Sequence, residues 1–227
     1  MLWFADFAQQ HGAKGAVHVC YLGADAPTFP PSDILTFPPQ RRLRLLYLGA
    51  MGRSYDLETL VRACMQLQEG GLPIELHIAG AGEKLADLQR IAGETATELI
   101  QFHGFLQQAA LDQLLSNSDL GVIPMFAESG VAVPYKAGDY LAAGLVGVNS
   151  LPGELNELLG SHRCGRFYQT KSLDSLVSAL TEYANLSQEE LAEAKANARA
   201  LFEKSFNRAK TYPDFAEWIV NTSKQSQ

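Results

Sequence analysis

Lys136 and Asp139 stand three residues apart in a stretch that reads IPMFAESGVAVPYKAGDYLAAG from Ile123 to Gly144. The residue types there run from a short apolar strand (LGVIPM, 120–125) through a loop of small residues (AESGVAVP) into a helix of good helix formers opening near Tyr135. Such a loop can fold over a ligand, and the first-turn amides of the helix face it. A cation and a carboxylate three apart share one helix face, and together they suit the phosphate and the sugar hydroxyls of one ligand. The same two charges also read as an exposed ion pair on a helix surface, and spacing alone leaves both readings open. Glu128, in the preceding loop, is the best acidic candidate for sugar hydroxyls, and it reads equally as a solvated loop residue.

The elements that must position these residues alternate regularly. LRLLYLG (43–49), IELHIAG (74–80), LIQFHG (99–104), LGVIPM (120–125), LVGVNS (145–150) and GRFYQ (165–169) read as strands. Helices are expected over 57–69, 84–92, 108–116, 135–143, 154–160, 173–186, 188–206 and 212–220, with a further amphipathic helix at 3–11 and a strand at 16–22 (AVHVCYL). Strands alternating with helices predict an α/β fold, a doubly wound Rossmann-like parallel sheet with its ligand at the carboxyl ends of the strands. Three boundaries follow: residues 1–40 as a remnant of another unit plus a proline-rich linker (Pro27 to Gln40), 41–207 as the sheet domain, and 208–227 as a C-terminal helix and tail.

Three successive strands end in glycine. Gly49 and Gly52 bracket the turn after the first strand, where backbone amides can approach a phosphate and Arg53 adds charge. Gly80 and Gly82 form a GxG after the second, but Leu85 stands where a dinucleotide fingerprint needs its third glycine, which argues against NAD or FAD. Gly104 ends the third, beside His103, a candidate ligand donor that reads at least as well as a locally satisfied histidine. Glycine-rich βα turns are also ordinary in their own right. The histidines have no metal-ligand spacing, and neither a DxD pair nor a GxSxG or GxxxxGK[ST] run occurs, so no cofactor and no metal are expected.

The 227 residues carry 47% hydrophobic side chains, enough for a real core, and a formal net charge of −7. That charge argues against nucleic acid as the main partner, whose backbone needs a basic surface. Cys20, Cys64 and Cys164 are scattered, no apolar run approaches the roughly 18 residues of a transmembrane helix, and the N-terminus lacks a signal-peptide pattern. A reduced, cytoplasmic setting is the expectation.

The span from Arg44 to Trp218 resembles the C-terminal, donor-binding domain of GT-B glycosyltransferases of the retaining group 1 class. LRLLYLGAMGRSYDLETLVRA resembles that domain's opening strand, glycine turn and helix, and ELHIAGAGEKLADL its second strand, GxG and helix. IQFHGFLQQAALDQLLSNSDLGVIPM is similar to its glycine-ended strand, helix, Ser-Asp pair and strand. VPYKAGDYLAAGLVGV resembles the variant with a lysine before an acidic-Tyr-Leu-Ala-Ala-Gly helix, GELNELLGSHRCGRFYQ the closing section, and GADAPTF the interdomain segment.

The resemblance implies roles. The Gly49 to Arg53 turn, with Gly52, would cradle a donor diphosphate that Lys136 also meets, and Gly80 and Gly82 would line the cleft. Backbone at Gly104 and Phe105 would meet the base. The loop of Glu128, Ser129, Gly130 and Val131 would hold sugar and phosphate, and Asp139 would accept ribose hydroxyls. Arg53 and Lys136 would be the catalytic cations, neutralising the leaving nucleoside diphosphate without a metal.

The chain departs from the family pattern in three places. Tyr55 occupies the usual lysine position of the first βα segment, Asp139 replaces a glutamate, and Glu128 lies eleven positions before Asp139 rather than eight. An acceptor domain of about 150 to 200 residues would lie beyond this chain. The implied activity is hexosyl transfer from a nucleotide-sugar to a glycan or lipid-linked acceptor in polysaccharide biosynthesis. The implied partners are an acceptor-domain chain or a homodimer, with peripheral membrane association through the missing domain. A noncatalytic nucleotide-sugar-binding subunit and a GT-B-type sugar-nucleotide epimerase are the alternatives.

Overall fold

The protein is described by a computed structural model over residues 3–29, 42–93 and 99–225. Six parallel strands form its centre: β1 (Leu43–Leu48), β2 (Ile74–Ala79), β3 (Ile100–Gly104), β4 (Leu120–Ile123), β5 (Val146–Asn149) and β6 (Gly165–Phe167). Their spatial order is β3-β2-β1-β4-β5-β6. Nine helices are described: α1 (Trp3–Gln10), α2 (Leu57–Glu69), α3 (Leu85–Ala92), α4 (Gln108–Ser116), α5 (Tyr135–Ala143), α6 (Glu154–Ser161), α7 (Leu173–Ala184), α8 (Gln188–Ser205) and α9 (Arg208–Gln225).

Period-two alternation sends the strand side chains to two cores. Leu43, Leu45 and Tyr47 of β1 join Ile74, Leu76 and Ile78 of β2 under α2, α3 and α7. Leu46, Ile123 and the buried face of α5 pack under α6 and α8 on the opposite side. With both faces covered, the central strands read as nearly unbroken apolar runs. Each fully buried Leu or Ile there contributes about 1.5–3 kcal/mol. This is the doubly wound, Rossmann-like α/β sheet expected from the alternation.

The strand order reverses between β1 and β4, so a crevice opens at their carboxyl ends. One side chain fixes α5 against that crevice. Tyr140 crosses the sheet where Gly121 leaves room, since a Cβ at Gly121 would lie 2.3 Å from its ring. The Tyr140 hydroxyl accepts from the Leu48 amide at 2.8 Å, tying α5 to β1 across β4. At the opposite rim, the buried Asp119–Lys195 pair (3.3 Å) and the bond from the Arg44 amide to Asp119 lock the amino ends of β1 and β4.

Residues 16–22, expected as a strand, form none. A strand needs a sheet edge to pair with, and this segment lies against α9 instead. His18 stacks on Phe215 and Trp218, and the Gly23 amide donates to the Tyr212 hydroxyl at 3.2 Å. Just beyond it, Ala24 forms an isolated bridge with Asn207. α9 runs beyond the expected 212–220 at both ends. Most of the proline-rich stretch 27–40 lies outside the described residues.

Candidate functional site

Two loops meet at the crevice, and they are bonded to each other. The Asp56 amide donates to the Pro124 carbonyl (2.7 Å) and the Phe126 amide to the Ser54 carbonyl (3.0 Å). A bridge joins Tyr55 to Met125. From below, the buried Ser150 hydroxyl holds the Ile123 and Met125 carbonyls (3.0 and 2.9 Å). The turn after β1 and the start of the loop after β4 thus form one floor.

Above it, Lys136 enters from the first turn of α5. Its side chain is 8% exposed, and its Nζ has no hydrogen-bond partner. The Nζ lies 4.1 Å from the centre of the Tyr47 ring and 4.3 Å from that of Tyr55. Gly49 makes the position possible. It adopts φ 127°, and a Cβ there would stand 3.2 Å from the Lys136 Nζ. Lys136 therefore reaches across the open end of β1 toward an aromatic pair rooted in the other core. Burial pushes its ammonium down to about 7. An uncompensated amine at the switch point and in the first turn of a helix has the chemistry to meet an anion.

The ion pair that spacing allowed between Lys136 and Asp139 is not formed. Asp139 lies on the exposed side of α5, where loss of solvent around its carboxyl, with a smaller push from Asp25, raises its pKa against the pull of Arg208.

The glycine turns divide into two kinds. Gly80 and Gly82 serve packing: a Cβ would lie 2.0 Å from the Gly49 carbonyl oxygen at the first, and 2.6 Å from the Met51 backbone at the second. The amides of Gly49 and Met51 donate to the Ala79 and Ala81 carbonyls, so these two amides are already engaged by the second loop. Gly52 faces open space, and among the described residues none of the amides of Ala50, Gly52 and Arg53 donates to another backbone carbonyl. Gly104 adopts φ 64° over open space, and Phe105 beside it is 87% exposed.

Arg53 stands on the outer rim, paired with Glu83 at 3.2 Å, both side chains in solvent. Glu128 and Ser129 occupy a single 3-10 turn, Glu128 exposed, closed by Gly130 at φ 70°. The Val131 amide donates to the Ser129 hydroxyl. The site thus brings together Lys136, the Gly49–Arg53 turn and the end of the second loop, while Asp139, Glu128 and Phe105 lie outside that cluster on exposed positions.

Two residues here were missed by sequence reasoning. Tyr47 walls the lysine, though its place as the last inward residue of β1 marks it only as core. Lys171, before α7, donates its amide to the Asp56 carboxylate and lays its Nζ 5.0 Å over the Phe126 ring. No motif near Lys171 signals that position.

His103 bonds His77 at 3.0 Å on the polar side of β2 and β3, a locally satisfied pair. Among the described residues no group of three or more His, Cys, Asp or Glu side chains is arranged to hold a metal ion. None of the described helices is long and apolar enough to cross a membrane.

A family model described as "Glycosyl transferases group 1" matches residues 42–185. The chain belongs to the group 1 glycosyltransferases. The match runs from the start of β1 to the end of α7 and so contains the whole crevice. A search of curated proteins finds no significant match.

Solved structures of the same fold include a sucrose-phosphate synthase from Thermosynechococcus elongatus (18% identity, TM-score 0.72, covering 95% of this chain and 55% of that one). Another is Anabaena Alr3699/HepE in complex with UDP and glucose (18%, 0.71, 89% and 56%). The C-terminal domain of the group 1 protein LpcC from Francisella tularensis is similar over nearly its whole length (12%, 0.64, 82% and 99%). This group 1 chain therefore spans just over half the length of the first two proteins and corresponds in extent to one domain of the third.

Proposed function

We propose that the crevice between β1 and β4 binds the diphosphate of a nucleotide-sugar, and that the chain is the donor-binding part of a hexosyltransferase. The carrying observation is the buried, unpartnered amine of Lys136 at the first turn of α5, facing the Gly49 turn. A diphosphate seated there gains a charge-assisted contact from Lys136 and backbone donors from the Gly52–Arg53 turn, while Arg53 exchanges Glu83 for phosphate. Asp139, with the Glu128–Val131 loop, takes the hydroxyls of ribose and sugar. Phe105, with the Gly104 backbone, flanks the base.

In transfer, Lys136 and Arg53 stabilise the negative charge that grows on the departing diphosphate, without a metal or cofactor. The sugar passes to a glycan or lipid-linked acceptor held by a second domain. The complex of Alr3699/HepE with UDP and glucose supports this class of ligand by analogy of fold. The boundaries 1–40, 41–207 and 208–227 belong to the same proposal.

Calorimetry with UDP-, GDP- and ADP-sugars tests it. At least one donor binds the wild-type chain, and Lys136→Ala weakens that binding at least tenfold with an unchanged circular-dichroism spectrum. Absence of binding by every donor, or full affinity in Lys136→Ala, refutes the assignment.

A further inference from the structure

Lys136 has an unusual set of neighbours for a cation. From β1 it meets the Tyr47 ring and from the following turn the Tyr55 ring. Among the described residues no carboxylate pairs with it. Asp56, next to Tyr55, spends its carboxylate on the Thr59 hydroxyl and the Lys171 amide. Glu83 pairs with Arg53 at the rim, and Glu128 lies exposed in the loop after β4. On its own helix, Asp139 has Arg208 and Asp25 as charged neighbours, and the Tyr140 hydroxyl bonds the Leu48 amide. The nearby cation Lys84 donates to the Tyr55 carbonyl at 3.1 Å, which helps to hold that residue in place.

Building on the proposed donor site, we propose that Tyr55 is a positioning residue acting through Lys136. With Tyr47 it holds the amine at the Gly49 turn, apart from water and from every carboxylate, so that the ligand's diphosphate supplies the only full counter-charge. Ring faces attract a cation without supplying a formal negative charge.

The arrangement couples binding to a proton. Burial alone lowers the Lys136 ammonium to about 7, so above neutrality the empty site holds mostly free amine. An arriving diphosphate favours the ammonium, and the amine takes one proton from solvent, directly or through buffer. Affinity then falls by up to about tenfold per pH unit above 7, until the pKa of the liganded lysine is reached.

Lysine-selective NMR of the whole chain reads the cage without ligand, with Lys136→Met assigning the resonance. In wild type Lys136 titrates well below the other lysines. Tyr55→Phe, which keeps the ring, preserves that value. Tyr55→Leu, which keeps most of the bulk but removes the ring face that favours the ammonium, lowers it further, and Tyr55→Ala, which opens the cage to water, raises it by at least one pH unit. A wild-type Lys136 that titrates with the exposed lysines overturns the proposal, as does a Tyr55→Leu chain that keeps the wild-type value.

Calorimetry at pH 8 in two buffers of different ionisation enthalpy, with UDP-glucose or whichever panel donor binds, shows uptake approaching one proton. Lys136→Arg, which stays charged, abolishes that uptake. Donor binding with no proton uptake refutes the cage and leaves the donor site standing. Failure of every donor to bind refutes the donor site, and the positioning role falls with it.

Discussion

Replacing Lys136 by methionine is expected to stabilise the protein while weakening its ligand site. Lys136 is 8% exposed, and burial takes its pKa from 10.5 to about 7. Each pKa unit is worth about 1.36 kcal/mol, so holding this charge in the fold costs up to about 5 kcal/mol at pH 6. Methionine fills similar space, and its thioether packs well on the Tyr47 and Tyr55 rings. The gain is greatest below pH 7, where Lys136 is protonated in both the folded and the unfolded chain.

Between pH 7 and 10.5 the folded lysine has lost its proton and the unfolded one has not, so wild-type stability rises with pH and the advantage of methionine narrows. Urea unfolding of both proteins at pH 6, 7, 8 and 9 measures this. A gain of a few kcal/mol at pH 6, reduced by more than half at pH 9, is the expected outcome. A variant that is neutral or destabilised at pH 6, or whose gain does not change with pH, refutes the reading of Lys136 as a buried, uncompensated cation.

Three other perturbations follow from the same geometry. Gly80→Ala places a Cβ 2.0 Å from the Gly49 carbonyl at a φ of 131°; thermal unfolding is expected to show a loss above about 2 kcal/mol, together with weaker donor binding as the first turn is displaced. His77 is lowered by burial, His103 and Arg44 against an opposing pull from Glu75, and His103 is lowered by burial. Their contribution to stability is present above about pH 6.5 and is lost as pH falls from there to the folded values, so urea unfolding of His103→Gln shows a shallower acid decline. Donor affinity, measured by calorimetry, is expected to be unchanged by EDTA, since the proposed site meets the diphosphate with Lys136 and Arg53 rather than a metal.

The alternating strands and helices were legible because both sheet faces are covered, and α4 and α5 begin and end where their residue patterns say. The segment 16–22 was misread because AVHVCYL has strand composition, while composition does not say whether a sheet edge is near. Lys136 was legible as a candidate, but its state was not. Burial without a partner depends on Tyr47 and Tyr55 arriving from more than eighty positions away in sequence. Gly80 and Gly82 read as a GxG pattern that would line the cleft. Its cause is the contact of one loop's backbone with the next, which no single-strand motif records. The Ser-Asp pair before β4 likewise proved to be an anchor at the far rim, buried with Lys195.

Tyr140 has a consequence for motion. One side chain fastens α5 to β1 across β4, and the two loops beneath it share backbone bonds. The wall carrying Lys136 cannot swing without parting the central strands, which is where opening costs the most free energy. In the proposed donor site, recognition on this side is then preorganised, and adaptation to different sugars would fall to residues 127–134. Exchanging that loop between related chains should alter sugar preference while leaving the hold on the diphosphate intact.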